Sequence, residues 1–123
     1  MTRILIADPN AAPRKALALL LSRRLGVSDI AEAEDVETLV RNLSESSGDL
    51  LLLDWTLYGA PAPEACRLLR KAYPLLIIVL LSVNAEDEQA ARSAGAAFIH
   101  KGASPETVVA VLEPLLKSNP DSL

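Results

Sequence analysis

Leu50 to Leu53 is an unbroken leucine run that stops at Asp54. A strand covered on one face alternates apolar and polar residues, so a run that is apolar at every position needs cover on both faces. Parallel sheets meet that need, because the crossover connections between their strands lay helices over the sheet. Similar short runs recur along the chain. Ile4-Leu5-Ile6-Ala7 ends in the turn-forming Asp8-Pro9-Asn10, Leu75 to Leu81 ends at Ser82, and Ala97-Phe98-Ile99-His100 ends at Lys101. Asp29 to Ala33 is a fainter candidate of the same kind.

Amphipathic stretches separate these runs. From Ala11 to Leu25, Leu17, Leu20, Leu21 and Leu25 recur at helical spacing, with Arg14, Lys15, Arg23 and Arg24 off that stripe. Gly26 is the expected stop. Asp35 is the expected N-cap of a helix carrying Val36, Leu39, Val40 and Leu43 inward. Pro63-Glu64 begins a third helix, which Pro74 ends. Ala85 to Ala94 reads as a short polar helix closed by Gly95, with Glu86, Asp87 and Glu88 as an acidic first turn favoured by the helix dipole. Ser104-Pro105-Glu106 opens the last helix, and Pro114 is expected to kink or end it. Five strands alternating with five helices, each connection long enough for a crossover, predict an α/β sheet of parallel strands. One domain is expected over residues 1–117, followed by a frayed polar tail at 118–123.

Composition narrows the function. Half of the 123 residues are apolar, enough for a core without disulfides or structural metal, and with 3% aromatics that core must be aliphatic. A net charge of −4 argues against a general nucleic-acid or anionic-membrane binder, because phosphate contacts need a basic face. The single cysteine, Cys66, reads as a small buried side chain and suits a reducing cytosol. Only four apolar residues separate Arg3 from Asp8, which is no signal peptide. No apolar run approaches the ~20 residues needed to span a bilayer. A soluble, cytoplasmic chain is expected. His100 has no second histidine for a histidine-based metal cluster, and no glycine-rich phosphate loop is present, so nucleotide and flavin enzymes find no support.

Open α/β sheets bind ligands outside the C-terminal ends of their strands. Here those ends carry Asp8, Asp54, Ser82 and Lys101. Any one of them is explained by wet loops. Two acids, a hydroxyl and a cation, each at a strand end, point instead to a shared pocket.

The stretches Arg3-Ile4-Leu5-Ile6-Ala7-Asp8, Asp49-Leu50-Leu51-Leu52-Leu53-Asp54, Ile78-Val79-Leu80-Leu81-Ser82 and Gly95-Ala96-Ala97-Phe98-Ile99-His100-Lys101 resemble the receiver domain of two-component response regulators. The resemblance runs over about Arg3 to Leu116 and implies a CheY-like, flavodoxin-like (βα)5 doubly wound sheet of strand order 2-1-3-4-5. It implies no enzyme in the ordinary sense. Asp54 would accept a phosphoryl group from a histidine kinase, a phosphotransfer protein or a small acyl phosphate. Lys101 would contact the phosphate, Ser82 would be the switch hydroxyl and Phe98 the switch aromatic. Asp8, Asp54 and the backbone carbonyl of Thr56 would bind Mg²⁺. A downstream partner or a second copy would dock on the fourth helix, fifth strand and fifth helix. Lys101-Gly102-Ala103-Ser104-Pro105-Glu106 resembles the subgroup that often carries a helix-turn-helix DNA-binding domain, but no nucleic-acid contact is expected from this domain.

The pattern fails at one telling place. Family members usually carry two adjacent acids after the first strand, and this chain has Asp8-Pro9. Proline offers no side-chain oxygen. Losing a charged ligand costs on the order of 1–3 kcal/mol of metal affinity, which raises the Mg²⁺ dissociation constant roughly tenfold to a hundredfold. Mg²⁺ can still bind through one or two carboxylates with water. Leu57-Tyr58 and Ala62 also depart from the common loop. Pro9 therefore motivates an alternative, a pseudo-receiver that signals through protein contacts without phosphate. An enzyme of flavodoxin-like architecture is a third reading with little support. Trp55, beside Asp54, is a natural fluorescence reporter of metal binding.

Overall fold

The computed structural model describes residues 2–117; the expected tail at 118–123 lies outside them. The elements are β1 (Arg3–Ala7), α1 (Ala11–Leu25), β2 (Asp29–Ala33), α2 (Val36–Glu45), β3 (Leu50–Asp54), α3 (Ala62–Ala72), β4 (Ile77–Ser82), a 3-10 turn (Ala85–Asp87), α4 (Glu88–Ser93), β5 (Ala97–His100) and α5 (Pro105–Lys117). All strand pairs are parallel, in the order β2-β1-β3-β4-β5. The expected fold is present, and no helix among the described residues is long and apolar enough to cross a membrane.

Strand periodicity divides the core in two. Leu5, Ala7, Leu51, Leu53, Ile78, Leu80 and Phe98 face α2, α3 and α4, where they meet Leu39, Leu43, Cys66, Leu69 and Ala91. Ile4, Ile6, Leu50, Leu52, Val79, Leu81 and Ile99 face α1 and α5, where they meet Leu21, Val108 and Leu112. Every residue of β3 is buried, which accounts for its leucine run. The helix punctuation also follows expectation. Gly26 adopts the left-handed conformation at the end of α1, Asp35 accepts the Thr38 N–H at 2.8 Å, and Ser104 accepts the Thr107 N–H at 3.2 Å.

Five local expectations are corrected. β4 begins at Ile77 rather than Leu75, because the Leu76 N–H closes a turn on the Tyr73 carbonyl and leaves Leu75 93% exposed. Val40 faces solvent, since the buried stripe of α2 runs through Leu39 and Leu43, and a neighbour on a helix points elsewhere. Arg14 is buried instead of lying off the α1 stripe, held by the polar contacts described below. Residues 85–87 form a 3-10 turn ahead of α4, not its first α-helical turn. Pro114 does not end α5, the second of the two outcomes expected of it: the helix continues to Lys117. Both Pro114 and Ala110 are exposed, so water can satisfy the carbonyl that proline leaves without a donor.

Candidate functional site

The order β2-β1-β3 means that the chain turns one way from β1 and then crosses to its other side. This is the switch point at which doubly wound sheets open a crevice. Asp8 follows β1 and Asp54 ends β3, directly across it. Both are buried, at 2% and 4% exposure. Lys101, just past β5, extends over the strand ends and bridges them. Its Nζ lies 2.7 Å from Asp8 Oδ2 and 2.5 Å from Asp54 Oδ1. Burial works against its charged form, but the hydrogen bonds and charges of Asp54 and Asp8 outweigh it and raise the lysine pKa above 10.5.

The other carboxylate oxygens are held by the neighbouring loops. Asp8 Oδ1 accepts the Asn10 N–H at 2.8 Å, so Asp8 closes its own turn around Pro9. Asp54 Oδ2 accepts the Thr56 N–H at 3.0 Å and the Thr56 hydroxyl at 2.5 Å. Arg14 supports the loop at Asp8. It donates from Nη1 to the Asp8 carbonyl at 2.8 Å and from Nε to Glu32 Oε1 at 3.0 Å.

Ser82 ends β4 with 2% exposure, but its hydroxyl is engaged on the α4 side, donating to Asp87 Oδ2 at 2.6 Å and accepting the Asn84 N–H at 3.0 Å. Phe98 is buried on the α2–α4 face and meets Trp55 edge to face, with ring centroids 6.5 Å apart. The carbonyl of Thr56 accepts the Gly59 N–H at 3.1 Å. The fold thus gathers Asp8, Asp54 and Lys101 into direct contact, with Ser82 on the adjoining strand.

The oxygens of Asp8, Asp54 and the Thr56 carbonyl are chemically suited to Mg²⁺, which accepts one or two carboxylates and completes its shell with water. Among the described residues no group of three or more His, Cys, Asp or Glu side chains gathers as a metal cluster. The donor set fits the ion with one carboxylate fewer than the family pattern.

Three contributors escaped the sequence reading. Arg14 carried a signal, because it stands three residues before Leu17 and seven before the buried Leu21. For Thr56 the family resemblance points to the carbonyl alone, although a hydroxyl two residues after an aspartate commonly closes this kind of turn. Asp87 reaches Ser82 across irregular backbone, a contact that periodicity does not reveal.

A doubly wound parallel sheet with two acids, a hydroxyl and an ammonium at its strand ends defines the CheY-like class of signalling domain. The chain belongs to the response regulator receiver domain family, whose family model matches residues 4–113, and it is a receiver domain of two-component signalling. It is similar to the transcriptional regulatory protein ResD of Bacillus subtilis, with 33% identity over 94% of this chain and 48% of that protein. It is also similar to the phosphate regulon transcriptional regulatory protein PhoB of Klebsiella pneumoniae, with 31% identity over 94% of this chain and 52% of that protein. The chain therefore spans about half the length of these curated relatives. Among solved structures, a LuxR-family two-component response regulator from Aurantimonas sp. SI85-9A1 superposes with a TM-score of 0.83 and 27% identity, covering 99% of this chain and 92% of that one. The isolated REC domain of RcsB from Salmonella enterica shares the fold, with a TM-score of 0.85 and 21% identity over 98% of this chain and 94% of that one.

Proposed function

We propose that Asp54 accepts a phosphoryl group from a histidine kinase or phosphotransfer protein, and that the phosphorylated site switches a protein-docking surface on α4, β5 and α5. The Lys101 bridge carries this reading, because it sets a cation at hydrogen-bond distance from the acceptor carboxylate. An incoming phosphoryl group and a carboxylate repel each other, and a fixed ammonium offsets that repulsion. In the transfer, an Asp54 oxygen forms a bond to phosphorus. The bond from phosphorus to the donor's nitrogen or acyl oxygen breaks, and its electron pair leaves with the donor. Mg²⁺, when held by Asp8, Asp54 and the Thr56 carbonyl, neutralises charge on the transferring group. Lys101 then contacts the new phosphate, Ser82 turns its hydroxyl toward it, and Phe98 relays the change to the docking face.

Pro9 favours a second reading, a pseudo-receiver that signals through protein contacts or a homodimer without phosphate. Incubation with acetyl phosphate and Mg²⁺ followed by intact-mass measurement separates the two. The first reading expects a gain of one HPO₃ on the wild type and none on Asp54→Asn. No gain at high Mg²⁺ supports the second.

A further inference from the structure

We propose that Asp87 is a positioning residue that latches the Ser82 hydroxyl and competes with a phosphoryl oxygen for its proton. The competition rests on the phosphoacceptor reading; the latch itself does not.

A serine hydroxyl has one proton to donate. In Ser82 that proton is donated to Asp87 Oδ2, 2.6 Å from Oγ, while Oγ accepts the Asn84 N–H. The acceptor is a carboxylate, so the bond is of the stronger, charge-assisted kind. Ser82 cannot relocate to escape it. Its main chain is fixed in β4, paired with His100, and its carbonyl accepts the Lys101 N–H at 2.8 Å. Only the side chain can turn, and a turn toward Asp54 breaks both contacts.

Asp87 stands where the 3-10 turn passes into α4, so the latch joins the end of β4 to the start of α4. Releasing Ser82 takes from residues 83–87 the two side-chain ties that hold them to β4. The Asp87 N–H to Asn84 carbonyl bond and the contact of His100 Nε2 with the Val83 carbonyl remain. Asp87 thereby sets how readily the hydroxyl turns and couples that motion to the beginning of α4. The remaining backbone contacts are independent of its carboxylate, so Asp87→Ala retains the fold.

Amide hydrogen exchange at Asn84 in the unliganded protein tests the latch. Asp87→Ala is expected to speed it about tenfold, because a freed Ser82 rotor no longer holds the Asn84 N–H. An unchanged rate overturns the proposal. Titration with beryllofluoride and Mg²⁺, followed by Trp55 fluorescence, tests the competition. Asp87→Ala is expected to bind beryllofluoride about tenfold more tightly than wild type, and to give no gain in a Ser82→Ala background. An equal gain in both backgrounds is a bulk charge effect and overturns the competition. If no variant binds beryllofluoride, the phosphoacceptor reading and the competition fail together, and the Asn84 result still decides the latch.

Discussion

Lys101 is paired with Asp8 at 2.7 Å although two strands, β3 and β4, separate β5 from β1 in the sheet. The flexible stem of lysine makes this reach, and the ammonium meets Asp54 on the way. One cation thus keeps two buried carboxylates side by side. Lys101→Met preserves the apolar stem and deletes the charge, leaving both acids without their cationic partner while their bonds to Asn10 and Thr56 remain. The expected loss is about 1–3 kcal/mol in urea unfolding at neutral pH. Equal stability of the two proteins would contradict the bridge.

The same lysine sets an alkaline limit. Its pKa in the folded chain is raised above the ordinary 10.5, because the bonds and charges of Asp54 and Asp8 exceed the opposing effect of burial. A raised pKa contributes stability that is fully present below the unfolded value and is lost as pH rises through the folded one. The difference in Tm between wild type and Lys101→Met is therefore expected to narrow as pH climbs past 10.5. A gap that persists well above that point would show that charge on Lys101 is not what stabilises the wild type.

With Mg²⁺ held at Asp8, Asp54 and the Thr56 carbonyl as proposed, Pro9 is expected to limit its affinity. The Asp8 turn around it supplies one carboxylate, where two adjacent acids would supply two. Pro9→Asp restores the missing oxygens and is expected to lower the Mg²⁺ midpoint roughly tenfold to a hundredfold. Trp55 fluorescence reads the titration, and Asp54→Asn serves as the control that loses the response. An unchanged midpoint would place the limit elsewhere, in the hold of Lys101 on both acids.

Much of this arrangement was legible in the residues because it depends on period and punctuation. The leucine run of β3 demanded cover on both faces, and Gly26, Asp35 and Ser104 mark helix ends through chemistry that acts within a few residues. The strand-end set was legible for a similar reason, since a parallel sheet collects the ends of its strands. What was not legible depends on tertiary partners. Arg14 is charged yet buried, because Glu32 and the Asp8 carbonyl receive it. Leu75 is apolar yet exposed, because the turn at Tyr73 spends it outside the strand. The Ser82–Asp87 contact follows from the path of an irregular loop.

Gly95 closes α4 with a φ of +84°, and a Cβ built there would lie 2.1 Å from Arg70 Nη1. The guanidinium is the far end of a flexible side chain and can give way, while the left-handed backbone cannot. Gly95→Ala is therefore expected to cost about 1–2 kcal/mol, chiefly from conformation. Arg70 also donates to the Ala94 carbonyl at 3.3 Å, so moving it aside adds a smaller loss. Urea unfolding in an Arg70→Ala background separates the two contributions. Most of the cost is expected to remain there; its disappearance would assign the requirement for glycine to the space that Arg70 occupies.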